Sequence, residues 1–122
     1  MAANVYNAIS SYLKEGKRVV YGIDRYRSFR PIIDVFKRNF KNDYLIASET
    51  HSGGALYLRN GGYLVLVSRD QMDQMRGMNF DVGFIDQGDD LKALKDAITP
   101  TILVAGGSIN TVDPETHTVN YE

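Results

Sequence analysis

An apolar run near the middle of the chain, DVGFID, ends in Asp86 and is followed directly by Gln87. An acid at the end of a strand can hold Mg²⁺, and a second acid beside it can polarise a water for attack on a phosphoanhydride. Here the second position is an amide. Gln87 can orient a water but cannot take its proton near neutral pH. Such chemistry also needs a phosphate cradle: glycines whose backbone N–H groups surround the phosphates, then Lys and Ser/Thr. The stretch placed to supply one is GIDRYRSFRPII, Gly22 to Ile33. It has one glycine and no Lys-Ser/Thr pair. Arg25, Arg27 and Arg30 could contact a phosphate, and Ser28 stands near the usual hydroxyl position. Bulky Tyr26 and Phe29 would crowd a loop that has to curl tightly. Both halves of a hydrolytic site are thus incomplete, and no residue is assigned a catalytic role.

Other chemistries find less support. The chain has no cysteine, which removes disulfides, thiolate metal sites and a catalytic thiol. His51 and His117 are isolated; Glu49-x-His51 could supply two ligands but lacks a second pair, so no metal site is expected. No G-x-S-x-G motif occurs. Gly106-Gly107-Ser108 reads as a flexible turn after a strand, by itself a weak phosphate signal. Charge is more informative. Residues 24–41 hold six basic residues against two acids, and residues 69–96 hold seven aspartates against four basic residues, in a chain of net charge −1. Arg30, Lys37, Arg38 and Lys41, with Arg76 in a glycine turn, form a candidate surface for nucleic acid or an acidic partner. The ordinary reading of such runs is a solvated helix face. Opposite-signed halves also suit a head-to-tail homo-oligomer. Eight tyrosines are more than a core of this size needs, which favours a binding surface.

These residues need elements to position them. Val5, Ile9, Tyr12 and Leu13 are at helical spacing, with Gly16 as the stop. RVVYGI is a strand. Ser28 can cap a helix through Phe40, whose apolar face is Ile32, Ile33, Phe36 and Phe40. DYLIAS is a strand, and ALYLRNGGYLVLV is a hairpin in which Asn60-Gly61 takes positive φ at both central positions. Residues 69–76 form a short helix or loop. A strand ending at Asp86, a helix over Asp89–Ala97 and a strand over Thr101–Ala105 follow. Residues 109–122 form a hairpin around Asp113-Pro114 or a tail. Asp86 is either a vestigial metal ligand or a strand-end acid that caps the helix at Asp89. Helices alternating with apolar strands predict one α/β domain over residues 1–122, a mostly parallel sheet flanked by helices with an inserted β-hairpin. In such sheets ligands gather at the strands' C-terminal ends, where Asp24, Ser48/Glu49, Asp86 and Gly106-Gly107-Ser108 are expected. The N-terminus does not read as a secretory signal, and no apolar run reaches the roughly 18 residues of a membrane span. A cytoplasmic protein with no membrane partner is expected.

Residues 60–91, NGGYLVLVSRDQMDQMRGMNFDVGFIDQGDDL, resemble the ATPase domain of phage terminase large subunits and, more loosely, RecA-like helicase domains. Asn60, Gly61, Ser68, Arg76, Gly77, Asp81, Asp86 and Asp89/Asp90 carry the resemblance. It implies a P-loop NTPase-like, RecA-like fold and a phage context, hence the host cytoplasm. It also implies that Arg25, Arg27, Ser28, Arg30, Asp86 and Gln87 are what is left of a nucleotide site. The expected function is a non-catalytic one: binding a host or phage protein, another copy of itself, or nucleic acid, with no cofactor. The alternatives are an NTPase that binds ATP·Mg²⁺ through arginines, or a small DNA-binding protein using the Arg25–Lys41 surface.

Overall fold

The computed structural model describes residues 3–24, 27–49, 53–70, 75, 77–103 and 107–120. After a two-residue strand, β1 (Ala3–Asn4), helix α1 runs Val5–Lys14. Asn4 caps it, its Oδ1 accepting the N–H groups of Tyr6 and Asn7 at 2.8 and 3.4 Å, which satisfies two donors that a helix start leaves over. It stops at Gly16, whose φ of +77° suits glycine. Strand β2 (Arg18–Gly22) leads to α2 (Phe29–Asn39). Ser28 holds the N-cap position of α2, but its hydroxyl makes no capping bond. The helix is held instead by the buried face of Ile32, Ile33 and Phe36.

Strands β3 (Tyr44–Glu49), β4 (Gly53–Leu58) and β5 (Tyr63–Val67) then run up and down. The turn at Asn60-Gly61 differs from the two-residue form. Four residues, 59–62, separate the strands, and positive φ belongs to Gly61 but not Asn60. Asn60 works through its side chain: Oδ1 accepts from Gly62 N–H at 2.9 Å, and Nδ2 donates to the Leu13 carbonyl at 2.9 Å. The turn is thereby tied to the end of α1. Strand β6 (Val82–Asp86), helix α3 (Leu91–Leu103), β7 (Ser108–Asp113) and β8 (Thr118–Asn120) complete the chain. Residues 101–103, expected in a strand, are the last turn of α3, which runs on through Pro100. The strand that follows begins only at Ser108. The Asp113-Pro114 hairpin is present: Asp113 Oδ1 accepts from Glu115 N–H at 2.9 Å, and His117 takes φ 59°.

Among the described residues, eight strands join one sheet in the order β1-β8-β7-β6-β2-β5-β4-β3. The four central strands, β7, β6, β2 and β5, are parallel, and both flanks are antiparallel. The architecture is α/β as expected, but the sheet is mixed; parallel pairing is confined to its centre. Alternation sends Val19, Tyr21, Phe84, Leu64 and Leu66 to one face, under α1 and α2. Val20, Val65, Val67 and Ile85 face α3 with Leu94, Ile98 and Ile102. Among the described residues, no helix is long and apolar enough to cross a membrane.

Candidate functional site

At the C-terminal ends of β2 and β6 the sheet holds a buried ionic cluster. Register pairs Tyr21 with Phe84, and the two-residue period then carries Asp86 to the same face as Tyr21, beneath the loop that enters α2. Asp86 is fully buried. Its Oδ1 accepts from the Tyr21 hydroxyl at 2.5 Å and from Arg27 Nη1 at 2.8 Å. Its Oδ2 accepts from the same Arg27 nitrogen at 2.7 Å and from Asp24 N–H at 3.1 Å. Arg27 Nη1 also donates to the Tyr21 oxygen at 2.9 Å. Nη1 shares its two hydrogens among three oxygens, so both carboxylate oxygens of Asp86 have protein donors.

Electrostatics holds Tyr21 and Arg27 in their protonated forms. Burial, reinforced by the adjacent Asp86 carboxylate, pushes the Tyr21 phenol far above its ordinary range, so it stays a donor. Burial works against the Arg27 charge, but the Tyr21 and Asp86 oxygens more than offset it, and Arg27 is held more firmly protonated than a free arginine. The surroundings are tight. A Cβ placed on Gly88 would lie 3.0 Å from the Asp24 carboxyl carbon.

Mg²⁺ does not fit this arrangement. Coordination to Asp86 would require the cation to displace Arg27, a like charge already seated on both oxygens. Among the described residues no group of three His, Asp or Glu side chains could hold a metal ion. The remaining residues expected at a nucleotide site are dispersed. Ser28 and Arg30 are exposed on the first turn of α2. Gln87 is exposed, its backbone N–H bonded to the Val112 carbonyl and its Nε2 donating to Thr111 Oγ1 at 3.3 Å, toward β7 and away from Asp86. Arg25, Arg76, His51 and Gly106 lie outside the described residues. Asp86 does not cap α3; the carbonyl that receives Leu94 N–H is that of Asp90. Gly107 and Ser108 stand at the start of β7, which parallel pairing puts at the opposite rim from Asp86. Gly107 is glycine because its α-carbon backs onto the Asp81 carbonyl. His117 serves a turn, its ring 5.3 Å from that of Tyr6.

The basic residues divide between the two ends of α2. Arg27 and Arg30 are at its start. Lys37, Arg38 and Lys41 are at its far end, about 15 Å away by the helical rise, and with Pro31 and Asp34 they line an open concavity of about 770 Å³ that runs along the helix. Cations in the last turn also complement the helix dipole. Sequence reasoning missed Tyr21 as a partner of Asp86. The available signal was a lone tyrosine in an otherwise aliphatic buried strand, since a buried phenol needs an acceptor. No family model matches the sequence, and no curated protein or solved structure matches it.

Proposed function

We propose that this protein is a non-catalytic binding domain built on a degenerate nucleoside-triphosphatase frame of the terminase or RecA-like kind, and that it binds a nucleic-acid backbone through Lys37, Arg38 and Lys41. The observation that supports the non-catalytic reading is the pairing of Asp86: the acid that would support Mg²⁺ is neutralised by the protein's own Arg27. The second part draws on the concave basic stripe at the end of α2, where three cations stand against one acid.

Head-to-tail self-association is the weaker reading, because much of its acidic half is engaged within the chain. Asp81, Asp86, Asp90 and Asp96 pair with Arg18, Arg27, Arg69 and Lys92.

Steady-state assays with ATP and Mg²⁺ are expected to show no turnover, and Gln87→Glu is expected to create none, since one acid does not supply a phosphate cradle. Turnover abolished by Asp86→Ala would overturn the non-catalytic reading. A labelled oligonucleotide is expected to bind the protein, and the combined Lys37→Ala, Arg38→Ala and Lys41→Ala variant to bind it at least tenfold more weakly. Equal binding by the two would assign the stripe to a solvated face.

A further inference from the structure

Helices α1 and α2 pack side by side on one face of the sheet, with the rings of Tyr6 and Phe36 5.7 Å apart. Along their contact opens a cleft of about 440 Å³, lined by Asn7, Ser10, Ser11 and Lys14 of α1 and by Asn39 of α2. All five are polar, and no carboxylate is among them. Ser10 stands out. It is only 8% exposed, yet its Oγ has no hydrogen-bond partner among the described residues. A serine inside a helix commonly returns its hydroxyl to the carbonyl one turn earlier; Ser10 does not. A buried hydroxyl without a partner is unfavourable, and alanine would serve the helix better at this position. A polar group kept at that disadvantage needs an explanation, and an absent ligand supplies one.

The donor set defines the ligand. Two hydroxyls, two carboxamides and one ammonium can all donate, and the ammonium adds the only formal charge. That combination matches an anion whose charge is spread over several oxygens. We propose that the cleft binds a phosphate oxyanion, with Ser10 Oγ and Lys14 Nζ as its principal donors. The phosphate belongs either to a phosphodiester backbone or to a small phosphorylated molecule. The site uses none of the side chains of the Lys37–Lys41 stripe, so it stands or falls apart from the function proposed above.

The test is an amide-resolved NMR titration of the full chain with inorganic phosphate and, separately, with a short single-stranded oligonucleotide. Saturable shifts centred on Asn7, Ser10, Ser11, Lys14 and Asn39 are expected. If inorganic phosphate alone produces them, the source is a small phosphorylated molecule. If only the oligonucleotide does, it is a backbone. Ser10→Ala is expected to weaken binding about tenfold, the effect of one hydrogen bond to a charged group, while thermal stability holds or rises. Lys14→Gln is expected to weaken it by a similar factor and to remove most of its salt dependence. The triple alanine variant of the stripe should leave these shifts in place. The proposal is overturned if neither probe shifts these amides, or if shifts spread over the surface cations without saturating. It is equally overturned if Ser10→Ala lowers stability, because the hydroxyl would then already have a partner within the protein.

Discussion

Arg27→Ala would leave Asp86 buried with its Tyr21 and Asp24 donors but without a counter-ion. Removing one member of a buried ion pair costs about 3–5 kcal/mol, and chemical denaturation should show a loss of that order. Adding Asp86→Asn should recover much of it, because an amide needs no counter-ion. If the double variant were no more stable than the single, the uncompensated charge would not be the cause. At the opposite rim, Asp81 accepts Arg18 N–H at 2.8 Å and Arg18 Nε and Nη2 at 3.1 and 3.0 Å. These hydrogen bonds hold the Asp81 carboxyl below its ordinary value of 3.8. A depressed folded-state value stabilises the protein above 3.8, and that contribution disappears as pH falls through the folded value. Asp81→Asn should therefore cost about 1 kcal/mol near neutral pH, a modest amount because both side chains are part-exposed. The gap from the native protein should close in acid below 3.8; a gap independent of pH would assign the effect to packing. Arg27 and Asp86 were both legible as candidates. That they bind each other across 59 positions was not, because the register of β2 against β6 decides it.

Periodicity placed the elements where the apolar pattern was clear: α1, β2, α2 and β6 lie close to expectation. It misplaced the chain between α3 and β7. Thr101, Ile102 and Leu103 are apolar or β-branched and follow a proline, the composition of a buried strand. A short apolar run does not tell a strand from a buried helix turn. Ile98 and Ile102, four apart, are what α3 presses against the sheet, and Gly83 is where they meet it. A Cβ on Gly83 would lie 2.5 Å from Ile102 Cδ1 and 3.2 Å from Ile98 Cγ2. Gly83→Ala should then cost about 1–3 kcal/mol by overpacking, and Ile102→Val alongside it should relieve part of this. Gly107→Ala should cost more, since its Cβ would meet the Asp81 backbone carbonyl rather than the tip of a movable side chain. Equal midpoints for the two glycine variants would show that the start of β7 can shift.

Across the molecule, a basic stripe and an exposed apolar edge offer two different kinds of contact. The basic stripe lies at the end of α2, while Leu45 and Ile46 are 57% and 60% exposed on the edge strand β3. Exposed edges of this kind invite strand pairing, and association through them would persist in salt. Binding of a phosphate backbone would not. Each phosphate contact releases counterions, so losing the three stripe cations should lower the salt slope of oligonucleotide affinity by about 2 units for single strands. An unchanged slope would place the contacts elsewhere. The central position of β2 also has a kinetic consequence. Its neighbours are β5 and β6, and the pairs Arg18–Tyr63 and Val19–Val82 span 45 and 63 positions. During synthesis β2 emerges early, but both flanking strands exist only once residue 86 has left the ribosome. The β5 edge can pair once residue 67 is out, but the β6 edge has nothing native to pair with until residue 86 follows. Such contacts close large loops before they are rewarded, which puts folding at the slow end for a domain of this size. Of the two edges of β2, the one that β6 covers is therefore the last to be protected.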